Sequence, residues 1–328
     1  MNYKKISAVL AVSMGLLMGP LTSQADASGQ TQHPIVLVHG HSGFDSVLAD
    51  YFYGVKSALT GVGATPYTPQ VPGWESNEER GEVLLAYVED LVATTGATKV
   101  NLVGHSQGGT TSRYVAAVRP DLVASVTSIA TPHFGSPVAD VIKDSPLEGV
   151  ALTLGNAIGT FMAVISGDSS QSVNAMGSLE SINTQGAADF NALYPQAVRD
   201  SSCRSVPSTN VGSWWWPRYV KDYSVNDGDH VVNGVSYYSW TGTYSAIWDS
   251  NVLDPADAFL GITSLMHSEE NDGLVARCST HMGKVIRDDY TQNHADEING
   301  MFGLLGLWTT SPVPLYVEHA RRLKNAGL

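Results

Sequence analysis

Between Val100 and Gly109 the chain reads V-N-L-V-G-H-S-Q-G-G, an order that few local structures accept. Val100, Leu102 and Val103 form a short apolar run of the kind that fills a buried parallel strand. The run breaks at once into Gly104-His105-Ser106-Gln107-Gly108, a G-x-S-x-G pattern. Where a nucleophilic serine stands on a sharp turn between a strand and a helix, small residues two positions before and after it let the backbone cross itself without a Cβ collision. Thr111 to Val118, closed by Arg119-Pro120, suits the helix that such a turn requires. Ser106 is therefore a candidate nucleophile at the carboxyl end of its strand. The competing reading is a structural turn, because glycine and serine are common turn residues.

Residues 1–25 read as a leader rather than as part of the fold. Lys4 and Lys5 make a positive start, Ile6 to Met18 an apolar core, and Ser23-Gln24-Ala25 or Ala25-Asp26-Ala27 a small-residue cleavage site. The apolar stretch is too short to span a bilayer comfortably, so a cleaved secretory signal and an extracellular destination through the periplasm are expected. The formal charge is −13, and loss of the two lysines makes it more negative. That balance argues against nucleic acid, whose binding needs clustered Lys and Arg. Residues 26–328 are long enough for one large α/β domain, and no repeat or low-complexity linker divides them. The only cysteines are Cys203 and Cys278. In an oxidising compartment they most simply pair, a bridge worth about 4.5 kcal/mol in the chain-entropy model, and two free buried thiols are the alternative.

Taken in order, His33 to Gly40 is an apolar strand running into glycine, followed by the loop His41-Ser42-Gly43-Phe44-Asp45. Backbone amides can donate to an oxyanion, and we assign that role to His41 in this loop and to Gln107, the residue after the candidate nucleophile. A plain strand-to-helix turn is the alternative for His41. Ser76-Asn77-Glu78-Glu79 resembles a capping box, and Val83, Leu84, Tyr87, Val88, Leu91 and Val92 then recur at helical spacing until Gly96. Leu122 to Ile129 is another buried-strand pattern. This alternation predicts an α/β fold, a mostly parallel sheet covered by helices.

Pro146 to Ile165 places Leu147, Val150, Leu154, Ile158, Phe161 and Ile165 on one helical face, with glycines that loosen it and no charge between Glu148 and Asp168. It reads either as a buried core helix or as a movable helical lid whose apolar face turns onto lipid. Trp214-Trp215-Trp216 cannot bury all three indoles on one face, so some meet solvent, lipid or a partner. Val231-Val232-Asn233-Gly234-Val235 is a hairpin signal, continued by Tyr237 to Trp240. Asp254-Pro255 opens a helix through Leu265.

A serine hydroxyl needs a base, and the base needs an orienting carboxylate. His319 lies in the amphipathic run Leu315 to Leu323, which favours a surface or packing role. His294, in Gln292-Asn293-His294-Ala295-Asp296, sits between elements and is the better loop candidate. Asp272, in Asn271-Asp272-Gly273 six residues before Cys278, suits a rigid orienting carboxylate, although aspartate in that context is commonly a turn former.

Several long segments carry a resemblance in the same order. V-N-L-V-G-H-S-Q-G-G, R-Y-V-A-A-V-R-P-D-L from Arg113, N-D-G-L-V from Asn271, V-I-R-D-D-Y-T-Q-N-H-A-D-E from Val285 and the ending R-L-K-N-A-G-L resemble the secreted triacylglycerol lipases of the Pseudomonas and Burkholderia type. The resemblance runs from about Pro34 to the C-terminus. It implies an α/β-hydrolase fold with Ser106 as nucleophile, Asp272 as acid and His294 as base, and it supports His41 and Gln107 as oxyanion donors. It also implies a lid near 146–165, a Cys203–Cys278 disulfide and one structural Ca2+ held by the carboxylates of Asp254 and Asp296 and the carbonyls of Gly300 and Leu304. Oxygen ligands suit calcium, whereas without the resemblance the two aspartates would read as solvated surface acids. A periplasmic foldase is a further implication, and the enzyme is expected to be a monomer. Two features depart from the family: Gly300 replaces a glutamine, and Arg204 to His230 is longer than the usual connection.

The expected reaction is hydrolysis of long-chain acylglycerols at a lipid–water interface through an acyl-enzyme. Two rivals remain at this level. One is an esterase or polyesterase with the same triad acting on soluble or polymeric esters. The other is a catalytically inactive hydrolase fold that binds lipid.

Overall fold

The computed structural model describes residues 26–40, 45–46, 49–144, 175–198, 208–223, 230–244, 251, 253–306 and 308–328. The expected leader (1–25), the lid segment (146–165), His41 and Cys203 lie outside the described residues.

All four residues of strand β1 (Ile35–Val38) are buried, and successive side chains enter two different cores. Val36 and Val38 pack with Leu84, Val88, Leu102 and Val115, while Ile35 and Leu37 pack with Leu59, Val103, Trp240 and Tyr316. A strand that is apolar in both directions must be covered on both faces. Helices α1 (Val55–Gly61), α2 (Asn77–Thr95) and α3 (Gln107–Val118) provide part of that cover. Leu84, Val88 and Leu91 of α2 and Val115 of α3 enter the first core, and Val55 and Leu59 of α1 enter the second.

The sheet continues with β2 (Pro66–Tyr67), β3 (Val100–His105) and β4 (Val123–Ile129). Helices α4 (Pro137–Asp144), α5 (Ala175–Ile182) and α6 (Thr184–Leu193) follow, then a separate exposed ribbon of β5 (Ser208–Asn210) and β6 (Tyr219–Lys221). Strands β7 (Val231–Val232), β8 (Val235–Thr243) and β9 (Lys284–Thr291) complete the sheet, with α7 (Pro255–Ser264) between β8 and β9 and α8 (Val313–Asn325) at the end. The spatial order is β9-β8-β4-β3-β1-β2. Every neighbouring pair in it is parallel, and β7 adds antiparallel to β8. The chain leaves β1 for β2 on one side and returns to β3 on the other. That reversal opens a crevice at the carboxyl ends of β1 and β3, where open α/β sheets place their ligands.

Local chemistry accounts for most of these boundaries. Ser76 Oγ accepts from the Glu79 amide while the Glu79 carboxylate accepts from the Ser76 amide, so the capping box is complete. Asn233 and Gly234 both take positive φ, 53° and 77°, as a type I′ turn demands. Asp254 caps α7 through the Ala256 amide, with Pro255 in its first turn. Two expectations shift. Helix α3 begins at Gln107, directly after Ser106, rather than at Thr111. The buried stripe of α2 runs through Asn77, Arg80, Gly81, Leu84, Val88 and Leu91, leaving Val83 41% exposed. Cys278 is disulfide-bonded.

Asp288 on β9 has a fully buried carboxylate that meets Arg277 at 2.7 Å, Tyr223 at 2.8 Å, and Lys221 and His281 at 3.1 Å. Burial alone would push this carboxyl up. The hydrogen bond from His281, the Arg277 and Lys221 charges and the Tyr223 hydroxyl outweigh burial and hold it well below the usual carboxylate range. A group whose folded value is depressed stabilises the fold fully above its unfolded value, near 4, and loses that contribution as pH falls below it. Asp288→Asn should therefore cost about 3 kcal/mol at neutral pH, because the partly buried Arg277 and Lys221 lose the buried carboxylate they share. Urea unfolding of both proteins should show that gap narrowing at about pH 3.

Candidate active site

Strand β3 delivers Ser106 to the crevice in a conformation that serine seldom adopts. Its φ is 54° and its ψ −130°, a region ordinarily left to glycine that costs on the order of 1–3 kcal/mol. Neighbouring glycines make that turn possible. A methyl group on Gly104 would overlap the Gly108 carbonyl, and one on Gly108 would overlap the carbonyl of Val38 on β1. The Ser106 amide donates to the Ile129 carbonyl of β4 at 2.8 Å, tying the turn to the next strand. Strand, serine and helix are thus locked together by backbone contacts alone.

His294 follows β9, and its Nδ1 lies 2.7 Å from Asp272 Oδ2. The other carboxylate oxygen of Asp272 accepts from the amides of Leu274 at 2.8 Å and Val275 at 2.7 Å. Asp272 is therefore both turn former and orienting carboxylate, one oxygen for each task. The His294 amide also donates to the Asp272 carbonyl at 2.9 Å, so backbone and side chain fix the pair together. With Asp272 ionised, Nδ1 is the donor and Nε2 is left as the acceptor. Ser106 and His294 line one pocket, about 770 Å³ counting its opening to solvent, whose walls are largely apolar, with Val138, Ile142, Leu179, Phe259 and Leu274 among them.

Of the two expected oxyanion donors, Gln107 is described. Its amide opens α3, where first-turn N–H groups lack a partner within the helix. Its side chain is pinned, with Nε2 donating to the Glu75 carbonyl at 2.9 Å and Oε1 accepting from Ser178 Oγ at 3.0 Å. The residues that lead to His41 are held from below by Arg80. This buried guanidinium donates to the carbonyls of His39 at 2.6 Å and Gly40 at 3.2 Å, to Thr111 Oγ1 at 3.1 Å and to the Pro72 carbonyl. Burial lowers its pKa to about 10, which leaves it charged at neutral pH. Tyr51 completes the support: its hydroxyl accepts from the Gly40 amide at 3.0 Å and lies 2.8 Å from His105 Nδ1.

Two more ionisable side chains lie beside His294. The ring of His105 is 4.6 Å from that of His294, and burial, followed by the charge of His294, pushes His105 well below its ordinary pKa. Glu297 accepts from Thr241 Oγ1 and the Gly242 amide, and burial, followed by Asp272, pushes its carboxyl well above the usual range. Ligand atoms of His105, His294 and Glu297 lie within 4.8 Å of one another, a set that could hold a metal only by taking a nitrogen of His294. Burial thus disfavours the charged forms of both His105 and Glu297, and of the two carboxylates beside His294 it is Asp272 that hydrogen-bonds its ring.

The four expected calcium ligands come from two segments that the fold joins. Asn251 Nδ2 donates to the Leu305 carbonyl at 3.2 Å, Asn293 donates to Asp257, and Ala256, Phe259, Leu260 and Ala295 share a small core. Asp254 and Asp296 are both buried. Burial, with the charge of Asp257 adding to it, raises Asp254 to about 6. Such an oxygen-only set, costly to ionise when buried, fits a hard cation. Gly300 sits so close to the Ala295 carbonyl that a Cβ would approach it to 2.9 Å, which accounts for glycine there. The other histidines serve structure: His319 Nε2 lies 2.7 Å from Thr127 Oγ1, and His133 Nε2 lies 2.9 Å from Ser128 Oγ.

Sequence reasoning passed over Arg80, Tyr51 and Glu297. Arg80 carried a usable signal, since it falls on the apolar stripe of α2 at positions spaced from Leu84 and Val88 by one and two turns.

A family model described as alpha/beta hydrolase fold matches residues 33–247. The chain is 48% identical over 305 residues to a triacylglycerol lipase of Vibrio cholerae, covering 91% of this chain and 90% of that one. It is 39% identical to triacylglycerol lipases of Pseudomonas fragi, with 92% and 100% covered, and of Burkholderia plantarii, with 97% and 94% covered. A Bacillus licheniformis lipase of solved structure shares the fold, with TM-score 0.58, 19% identity, and 88% and 91% covered.

Gly108→Ala tests the elbow. The added methyl meets backbone of β1 rather than a movable side chain, so the variant should lose about 1–3 kcal/mol in chemical denaturation and, in whatever folds, most of its reactivity at Ser106. Wild-type stability in the variant would contradict the packing described above.

Proposed function

The chain belongs to the α/β-hydrolase family and, within it, to the bacterial triacylglycerol lipases, and on that premise we propose Ser106 as nucleophile, His294 as base and Asp272 as orienting acid. It is a carboxylic ester hydrolase acting on acylglycerols. One observation carries the assignment of residues: the His294–Asp272 hydrogen bond of 2.7 Å at the wall of the cavity into which the strained Ser106 turn projects.

His294 Nε2 takes the hydroxyl proton of Ser106 as the oxygen attacks the ester carbonyl, and Asp272 stabilises the imidazolium through Nδ1. The amides of Gln107 and His41 receive the negative charge that develops on the carbonyl oxygen. His294 then gives its proton to the departing glycerol oxygen. In the second half it takes a proton from water as the water oxygen attacks the acyl carbon, and gives that proton to Ser106 Oγ as the C–Oγ bond breaks and the fatty acid is freed. The apolar wall of Ile142, Leu179 and Phe259 suits a long acyl chain, which favours a lipase over an esterase confined to small soluble esters.

The same proposal includes secretion through the periplasm after removal of residues 1–25, a foldase there, a lid at 146–165 and a Cys203–Cys278 bridge. Cys203 is the only other cysteine available to Cys278. It further includes one Ca2+ held by Asp254, Asp296 and the carbonyls of Gly300 and Leu304. When bound, such an ion offsets buried negative charge and ties α7 to the loop that carries His294.

A fluorophosphonate should label the wild type and fail to label Ser106→Ala. Asp272→Asn should bind ester but turn it over about ten-thousandfold more slowly. Emulsified long-chain triacylglycerol should be cleaved faster than a short soluble ester, and a reversed preference would favour an esterase. Folded protein that the probe does not label would instead favour a lipid-binding module.

Chelation with EGTA should lower the melting temperature by about 5 °C, with recovery on adding Ca2+, as expected for a ligand held near a hundredfold above its Kd. Asp296→Asn should start at the lower temperature and respond to neither addition. A melting curve of the wild type indifferent to EGTA would remove the calcium site.

A further inference from the structure

The β5–β6 ribbon stands off the body of the molecule, with every residue from Ser208 to Val220 exposed. At its tip Trp214, Trp215 and Trp216 are 78%, 71% and 82% exposed. An aromatic tip of this size in water is costly unless it is built to meet something apolar. Nothing in the triad, the cavity or the calcium ligands uses it.

The tip is constructed rather than loose. The Trp216 amide donates to the Ser213 carbonyl at 3.1 Å, closing a tight turn with Trp214 and Trp215 at its corners. The rings of those two residues lie against each other, centroids 3.9 Å apart and planes tilted by 34°. Asn210 Oδ1 accepts from the amides of Gly212 at 2.9 Å and Arg218 at 3.0 Å, bracing both strands just behind the turn. Any side chain at Gly212 would overlap the Trp216 carbonyl. At the base, Lys221 meets Asp288 at 3.1 Å and Asp289 at 3.0 Å, and Tyr223 donates to Asp288 at 2.8 Å. The indoles are thus carried on a short stiff arm whose foot is bolted to β9, the strand that leads to His294.

We propose that this ribbon anchors the enzyme to the acylglycerol–water interface, with the three indoles entering the lipid side. Indole suits that boundary because its apolar body seeks lipid while its N–H keeps a polar partner. Charge selects the kind of surface. The chain carries −13, and Arg218 is the one cation on the exposed arm beside the indoles. An anionic phospholipid surface, which is engaged through clustered Lys and Arg, would repel such a protein. A neutral acylglycerol surface would not. The proposal rests on the lipase reading above and adds to it the part of the chain that holds the enzyme on its insoluble substrate.

The test replaces Trp214, Trp215 and Trp216 together by alanine in the full chain. Partition onto triolein droplets, read by flotation, should fall about tenfold. Hydrolysis of p-nitrophenyl butyrate in solution should stay within about twofold, because no residue of the arm lines the cavity shared by Ser106 and His294. Hydrolysis of triolein should fall at low droplet area and recover as the area is raised. Trp215→Lys alone, with its melting temperature compared with the wild type, gives the same reading should the triple variant fail to fold. Undiminished flotation of a folded variant would overturn the proposal. So would loss of p-nitrophenyl butyrate hydrolysis together with flotation, or wild-type binding to phosphatidylglycerol vesicles in preference to triolein. A wild type that floats through its indoles yet cleaves neither ester would instead overturn the lipase reading.

Discussion

The backbone at Ser106 is held at φ 54° and ψ −130° by contacts with two neighbouring strands, and the site is built outward from that constraint. A residue in that region relaxes unless its surroundings forbid it. Here the surroundings are backbone: the Gly104 and Gly108 peptides pass each other closely, Gly108 lies against Val38, and the Ser106 amide is bound to Ile129. Relaxation would require β1, β3 and β4 to separate, which the two cores on either side of the sheet resist. The hydroxyl is therefore presented by the sheet as a whole, and the first peptide of α3 is fixed by the same contacts. A single local strain thus fixes the Ser106 hydroxyl and the Gln107 amide together.

Electrostatics around His294 follow from burial as much as from partners. Burial, followed by the charge of Asp272, pushes the Glu297 carboxyl well above the usual range. Asp272 accepts from two backbone amides and the imidazole, whereas burial opposes charge on both Glu297 and His105. Arg80 spends its donors on the carbonyl oxygens of His39 and Gly40 and so fixes the backbone that leads to His41.

What could be read from the chain divides by range. The Ser106 turn, the Ser76 cap and the Asn233-Gly234 hairpin are decided by residues within a few positions of one another, and the spacing revealed each of them. Asp272 and His294 are 22 positions apart and stood out because each lies in a turn context, although only folding could make one carboxylate serve both a turn and a ring. Arg80 acts on the carbonyls of His39 and Gly40, about forty positions away, through sheet and helix placed by the fold. Glu297, written beside Asp296, looks like solvated surface charge until burial is known. The same long-range logic explains β9, whose charged residues hid a strand: Asp288 is tolerated in it because Arg277, Lys221 and His281 arrive from other segments.

An acidic enzyme that releases fatty acid faces a surface that becomes more negative as it works, and attraction through charge would fail under those conditions. Contact through aromatic and apolar groups is governed instead by area removed from water, which neither salt nor accumulating carboxylate screens. A stiff arm also keeps the cost of ordering small, because its turn is already hydrogen-bonded before any lipid is met. Placing its foot on Asp288 links that contact mechanically to β9 and so to the strand from which His294 is suspended. Adsorption and chemistry thereby share one rigid element of the sheet while drawing on different residues, so that evolution can alter the grip on lipid without disturbing the geometry at Ser106.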